Sequence, residues 1–130
     1  MENRFKTHGA FSWTELMTTD SEAAKRFYGE LFGWQFEEFP AKDMKYTVVK
    51  AAGEAMGGIM SMPAEAQGVP PNWGTYVTVD DVDATVKKAT AMQAKVIMAP
   101  REIPDVGRFA VIQDPQGAVL MVITYKEMQA

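Results

Sequence analysis

The sequence lacks cysteine and has a single histidine, His8, among its 130 residues. Without cysteine the chain can form no disulfide, no thiolate metal site and no cysteine nucleophile. His8 stands in a polar segment ahead of the first predicted strand, so we expect it to be solvated rather than to bind a ligand. Thiol chemistry is therefore excluded, and imidazole chemistry has one weak candidate.

Long apolar runs and an excess of positive charge are missing as well. No segment approaches the ~20 apolar residues of a membrane span, and the polar N-terminus has no apolar signal-peptide core. The formal net charge is −4, without a basic cluster. We therefore expect neither nucleic acid nor a membrane as a partner, and we expect a cytoplasmic location.

The sequence is rich in hydrophobic residues, which make up 47% and include ten methionines. This composition supports a single domain with a real core. Methionine commonly fills gaps in a core, but it also forms adaptable binding surfaces. Several methionines at inward positions of different strands would form a soft apolar pocket.

The first half of the chain has the pattern of one strand, one helix and three more strands. Residues 10–17 alternate imperfectly, and if Trp13 faces one side, Glu15 and Met17 share that side. The helix starts near Thr19 and Glu22, which fit a capping box, with Asp20 as an alternative cap. It can end at Gly33. Its apolar face is predicted to hold Ala23, Phe27 and Leu31, with Ala24 and Tyr28 beside it; the later strands cover 34–39, 45–50 and 55–62.

The second half repeats this order after about 60 residues. Residues 63–72 hold three prolines and read as a linker. A strand over 73–79, a helix capped by Asp80-Asp81 and strands over 95–98, 108–112 and 118–124 follow. The last two strands form a hairpin around Asp114-Pro115-Gln116-Gly117.

These patterns predict a single α+β domain over residues 1–130, built from two βαβββ modules. Module one covers about 10–62, the linker 63–72, and module two about 73–125. We expect the two modules to form a mixed, curved sheet around a groove in which a ligand could sit.

Three segments carry a family resemblance: E-L-M-T-T-D-S-E-A-A-K-R-F-Y-G-E-L-F-G-W, V-D-D-V-D-A and G-R-F-A-V-I-Q-D-P-Q-G-A. With them, the chain resembles the vicinal oxygen chelate superfamily over about residues 10–125. That superfamily includes glyoxalase I, the bleomycin-resistance proteins and the extradiol dioxygenases. The fold hosts lyases, epimerases, dioxygenases, thiol transferases and non-catalytic binders, so the resemblance implies a fold rather than an activity.

The resemblance also implies four positions at which metal-dependent members carry His, Glu or Gln. In this sequence they fall at Trp13, at Met60 (or Ser61), at Gly74 (or Trp73) and at Met121. None of these residues offers the carboxylate or imidazole that such ions need. We therefore predict no metal and no cofactor, and we expect glyoxalase I activity and metal-dependent ring cleavage to be lost.

With these residues in place, the groove floor is predicted to be apolar and aromatic. Trp13, Met60 and Met121 would form it, and Trp73 and Tyr76 would add to it from the second half. Such a surface suits a planar or aromatic ligand. Ordinary core packing is the alternative for each of these side chains.

Glu15 is the candidate ionisable residue of the groove. Burial beside Trp13 would raise its pKa and could make it a general base or an anchor for a cationic ligand. The alternative is a strand glutamate that faces solvent or pairs with a lysine. Arg101, Arg108 and Tyr125 are predicted to lie at the rim of the groove, where an arginine could hold an anionic group. Asp80, Asp81 and Asp83 resemble a metal-binding cluster, but their place at a helix start is better explained by capping and by the helix dipole.

Three functions stay open at this stage. The first is metal-free binding of a small, largely apolar or aromatic molecule, which we favour. The second is a metal-independent enzyme that uses Glu15 or Tyr76 as acid or base, and the third is a metal-dependent lyase or dioxygenase with unusual ligands. Whether the protein is an enzyme is left undecided. The apolar edges of the predicted sheet suggest a homodimer, and members of the superfamily commonly dimerise.

Overall fold

The computed structural model describes residues 3–39, 46–62 and 69–126. These residues form eight strands and two helices. In chain order they are β1 (Phe11–Thr18), α1 (Ser21–Phe32), β2 (Gln35–Phe39), β3 (Tyr46–Ala51), β4 (Glu54–Ser61), β5 (Asn72–Thr78), α2 (Val82–Ala91), β6 (Lys95–Ile103), β7 (Gly107–Gln113) and β8 (Val119–Tyr125).

The element order is strand, helix and three strands, twice, which confirms the α+β class and the two βαβββ modules. The strand order is β2-β3-β4-β1 in module one and β5-β8-β7-β6 in module two. In each module one pair is parallel, β1 with β4 and β5 with β8, and the remaining pairs are antiparallel. Each module therefore contains a mixed sheet.

By compactness the chain divides into a unit of residues 13–74 and a unit of residues 1–12 with 75–130. The first residues belong to the second unit because they bind the end of β5. Thr78 accepts a backbone hydrogen bond from Gly9, donates one to the carbonyl of Ala10 and donates its hydroxyl to the carbonyl of Arg4. The predicted linker, 63–72, falls partly outside the described residues, and its last residue already belongs to β5.

Helix α1 begins and ends at the predicted residues. Asp20, the alternative cap, accepts a 3.0 Å hydrogen bond from the backbone N–H of Ala23. Gly33 ends the helix with a φ of 72°, a left-handed conformation that glycine adopts without steric cost. The capping interaction comes from Asp20 rather than Thr19.

The buried stripe of α1 is not the predicted one. Ala24 and Tyr28 pack against the core of module one, formed by Leu16, Val49 and Ile59. The predicted face is wrong because Phe27 and Leu31 are 59% and 57% exposed. Two neighbouring stripes at a spacing of four were available, and the sheet contacts the less hydrophobic one.

Module two has its own core under α2. Val79, Val82, Val86, Ala110 and Val122 are buried together there. The cap of α2 is Asp81, whose carboxylate accepts a 3.0 Å hydrogen bond from Ala84, as predicted.

The predicted hairpin is confirmed, and Asp114 organises its turn. The Asp114 carboxylate accepts hydrogen bonds from the N–H groups of Gln116 and Ala118 at 3.0 and 2.9 Å. Gly117 adopts a φ of 102°. Strand β6 is longer than predicted, since it continues through Pro100. It lies at the end of the strand order in its module, and two register irregularities accompany the proline, as is usual for proline in an edge strand.

Candidate functional site

Module one presents a sheet face that turns away from α1, which we call the distal face. Leu16 and Ile59 point into the helix-side core, so their neighbours along β1 and β4 point the other way. In the parallel pairing, Glu15 stands opposite Gly58 and Met17 opposite Met60. The distal face therefore brings together three of the predicted site residues: Trp13, Glu15 and Met60.

Tyr46 on β3 joins this face through a hydrogen bond with Trp13. The indole Nε1–H of Trp13 donates to the Tyr46 hydroxyl at 2.8 Å. The tyrosine ring lies over Gly58, where a Cβ would overlap its hydroxyl, Cζ and Cε1 atoms. Sequence reasoning missed Tyr46, although a glycine inside a strand often marks a close approach by another group.

Glu15 is the buried polar group of the distal face, with only 4% of its surface exposed. Its register partner, Gly58, is covered by the Tyr46 hydroxyl, so the carboxylate and the phenol occupy adjacent places on the face. The other side chains of the distal face, Trp13, Met17, Tyr46 and Met60, are half-buried.

Module two places its predicted residues on the face opposite its own core. Tyr76 and Met121 are register partners in the parallel pair of β5 and β8, and each is 4% exposed. Their chain neighbours Val77 and Val122 pack on the α2 side. Phe109 adds an aromatic ring, with its centroid 6.3 Å from that of Tyr76.

Trp73 lies elsewhere than the sequence predicts. Its indole N–H donates to the Tyr28 hydroxyl at 3.2 Å, and its ring packs edge-on against Tyr28 and Trp34. Both of these residues pack against the helix-side core of module one. The structure therefore separates Trp73 from Trp13, because Trp73 belongs to the helix side and Trp13 to the distal face.

Polar groups near the start of α2 satisfy one another. Arg108 donates to both carboxylate oxygens of Asp83, at 2.7 and 2.9 Å, and these hydrogen bonds hold the pKa of Asp83 below its usual value of 3.8. The guanidinium is thus engaged rather than ready for an anion. Tyr125 shares a 2.7 Å hydrogen bond with Ser12.

Two more of the predicted candidate side chains, Arg101 and His8, lie at the surface of the second unit. Arg101, on β6, is exposed. His8 is exposed as well, and its Nδ1 accepts a 3.0 Å hydrogen bond from the backbone N–H of Asp80.

The residues present do not fit the metal that the fold family implies. Within residues 3–39, 46–62 and 69–126, no three His, Asp or Glu side chains come close enough together to hold an ion. The four positions that the resemblance assigns to metal ligands fall at Trp13, Met60 (or Ser61), Gly74 (or Trp73) and Met121, and none of these residues offers a carboxylate or an imidazole. Among the same residues, no helix is long and apolar enough to cross a membrane.

Comparison with known proteins identifies the family. The model of the Glyoxalase/Bleomycin resistance protein/Dioxygenase superfamily matches residues 10–122, and the chain belongs to that superfamily. The candidate glyoxylase CFP32 of Mycobacterium tuberculosis is 43% identical over 115 residues, which cover 86% of this chain and 44% of CFP32. The anthracycline biosynthesis protein DnrV of Streptomyces peucetius is 29% identical over 127 residues, covering 88% of this chain and 46% of DnrV. The chain thus spans less than half the length of these relatives.

Solved structures agree on the fold. Methylmalonyl-CoA epimerase from Mycobacterium tuberculosis superposes with a TM-score of 0.66 over 92% of this chain and 89% of its own. The sequence identity is 15%, so this similarity concerns the fold alone.

Proposed function

We propose that the protein binds a small, largely apolar or aromatic molecule, without metal, on the distal face of module one. The observation that carries this proposal is the Trp13–Tyr46 pair, joined at 2.8 Å beside the buried Glu15. Small-molecule sites usually combine apolar and aromatic walls with few polar groups at fixed positions. The distal face has that composition.

The accessible parts of the distal face suit a flat ligand. Trp13, Tyr46 and Met60 are half-buried, so a molecule can reach part of each side chain without unfolding of the sheet. The hydrogen bond between the two aromatic side chains restricts their rotation, which lowers the entropy lost when a ligand stacks on them. Methionine adapts to the outline of the bound molecule.

Glu15 gives the site its polarity. Its carboxylate is only 4% exposed and places one polar group beside the aromatic pair of an otherwise apolar face. One relative is named an anthracycline biosynthesis protein. An anthracycline, which is planar and aromatic, is therefore a sensible first probe for this chain.

Isothermal titration calorimetry with an anthracycline and with uncharged planar aromatics of similar size tests the proposal. We expect saturable binding of at least one probe, and Trp13→Ala should weaken it at least about tenfold, since stacking area is lost. Trp73→Phe is the matched control, because Trp73 lies on the helix side, and its affinity should equal that of the parent chain. An equal loss in both variants, or no saturable binding of any probe, would contradict the proposal.

Tyr76 and Met121 form a second candidate contact surface in module two. The variants Tyr76→Phe and Met121→Ala, titrated in the same way, measure how much each side chain contributes to the affinity for the ligand. A loss of affinity with either substitution would support a role of that side chain in ligand binding, and unchanged affinity would contradict it.

Acid–base catalysis is the second candidate function, favoured by the adjacent places of Glu15 and Tyr46 on one sheet face. A buried carboxylate beside a phenol can exchange a proton with a bound molecule. Here Glu15→Gln should keep the affinity for an uncharged planar aromatic probe but abolish deuterium incorporation into that probe in D₂O, as followed by NMR. If the parent protein catalyses no deuterium exchange, acid–base catalysis is contradicted and ligand binding is the function that stands.

A further inference from the structure

Three methionines lie together where β1 and β4 end side by side, and we call them the methionine cluster. Met17 and Met60 are register partners in the parallel pairing of these strands. Met62 follows Met60 at a spacing of two, and its backbone N–H donates to the carbonyl of Thr18 at 3.1 Å. The pairing with β1 therefore continues one residue beyond the end of β4.

The alternation of side chains along the strands puts the methionine cluster on the distal face. Leu16 packs in the helix-side core, so its neighbour Met17 points the other way. Ile59 belongs to the same core, so Met60 also points away from it. Met62 precedes a proline, which restricts it to extended backbone, and it therefore keeps the direction of Met60. All three side chains are half-buried.

Strand geometry brings the three sulfur atoms of the methionine cluster within reach of one ion. Neighbouring strands lie about 4.8 Å apart, and residues two positions apart along one strand are separated by about 6.6 Å. A methionine side chain is long and unbranched and has three rotatable bonds. The three thioether groups can therefore converge above the end of the strands.

Packing of the core does not account for the methionine cluster. Met56, which comes from the same strand as Met60, shows the ordinary role of methionine, because it packs against the helix-side core of module one. The cluster faces away from that core. On its own side of the sheet it has an aromatic neighbour, since Tyr46 is the register partner of Met60 in the pairing of β3 with β4. Aromatic rings tolerate and attract cations.

Thioether sulfur is a soft ligand, and among biological metal ions it suits Cu(I). The residues at the positions that the fold family assigns to metal ligands exclude hard and borderline divalent ions, which need carboxylate or imidazole. That exclusion does not extend to a soft monovalent ion. The chain has no cysteine, so no thiolate of the same molecule competes with the thioethers for such an ion.

We propose that the methionine cluster binds one Cu(I) ion through the thioether sulfur atoms of Met17, Met60 and Met62. The site goes beyond the proposed binding of an organic molecule, and neither proposal requires the other. A flat ligand can stack on the distal face without an ion, and an ion can bind the three thioethers without a flat ligand.

NMR of protein labelled with ¹³C at the methionine methyl groups tests which residues bind the ion. Silver(I) is the probe, because it shares the charge and the ligand preference of Cu(I) and is not oxidised in air. The chain has ten methionines, and we expect Ag(I) to shift the methyl signals of Met17, Met60 and Met62 far more than the others. Substitution of each by leucine assigns its signal.

Competition with a chromophoric Cu(I) chelator under nitrogen measures the affinity of the untagged protein. Leucine keeps the size and apolar character of methionine and removes the sulfur, so Met60→Leu should weaken Cu(I) binding at least about tenfold. Met98→Leu is the matched control, since Met98 is half-buried on β6, and its affinity should equal that of the parent chain. His8→Gln removes the single imidazole and should also leave the affinity unchanged.

Several outcomes would overturn the proposal. These are the absence of saturable Cu(I) and Ag(I) binding, an equal loss of affinity in Met60→Leu and Met98→Leu, a loss in His8→Gln, and equal shifts of all methyl signals. Circular dichroism confirms that each variant is folded. No organic probe is present in these titrations, so their failure is distinguishable from a failure of the small-molecule proposal.

Discussion

Replacement of Gly58 with alanine tests whether the Tyr46 ring has a single place on the distal face. The added Cβ would overlap three atoms of that ring. Non-bonded carbon atoms settle at about 3.5–4.0 Å, so the ring would have to withdraw by more than ~1 Å. Such a movement breaks the 2.8 Å hydrogen bond from Trp13.

The expected cost follows from these contacts. Overpacking costs about 1–3 kcal/mol and the lost hydrogen bond about 1 kcal/mol, while alanine is better than glycine in a strand by about 0.5–1 kcal/mol. We therefore expect Gly58→Ala to lower the free energy of unfolding by about 2 kcal/mol. In a Tyr46→Ala background the ring is gone, and the same substitution should cost nothing or stabilise by up to about 1 kcal/mol.

Urea unfolding of the parent chain, the two single variants and the double variant measures this coupling. Far-UV circular dichroism is the appropriate signal, because the loss of Tyr46 also changes the fluorescence of Trp13. The expected coupling energy is about 2–3 kcal/mol. Equal costs of Gly58→Ala in both backgrounds would refute the reasoning, since the strain would then lie in the strand backbone and not in the tyrosine.

Three further predictions concern the stability of each module. Ile59→Ala should cost about 3–4 kcal/mol in urea unfolding, because Ile59 is fully buried in module one; a cost under about 1 kcal/mol would contradict this packing. Gly57→Ala should cost more than about 3 kcal/mol in the same assay, since its Cβ would overlap the backbone carbonyl of Thr14, and neutrality would show that β1 and β4 are spaced differently. Asp83→Asn should destabilise the chain near neutral pH, because Arg108 lowers the pKa of Asp83 in the folded state; that stabilisation exists above the unfolded pKa and disappears as the pH falls through the lowered one. Melting temperatures of parent and variant should therefore converge well below pH 3.8, and a constant difference would contradict the assignment.

The elements of the fold could be predicted from the sequence because their signals are local. Asp20 and Gly33 mark the ends of α1 by chemistry that acts within one turn. The Asp114–Gly117 turn is likewise decided by neighbouring residues, and the repeat over about 60 residues then gives the two modules. Strand β6 is the exception, since Pro100 is tolerated only because that strand lies at a sheet edge.

The details of the site depend on contacts between distant residues, and these could not be predicted. Trp13 meets Tyr46 across 33 positions of sequence, and no local pattern indicates that pair. The helix-side place of Trp73 depends on Tyr28, which is 45 positions away. In the same way, contacts with the sheet determine that the Ala24–Tyr28 stripe of α1 is buried. The exposure of Phe27 could therefore not be predicted from the helix pattern alone.

The adjacent glycines of β4 have a consequence for any attempt to redesign this protein. Gly57 admits the backbone of β1 on one side, and Gly58 admits the ring of Tyr46 on the other. The missing side chain of Gly57 thus allows the close approach of β1, and that of Gly58 allows the close approach of the Tyr46 ring. A library that varies the distal face to obtain new ligands should keep both glycines fixed and vary Met17 and Met60, because changes at the glycines would alter the scaffold before they altered the binding surface.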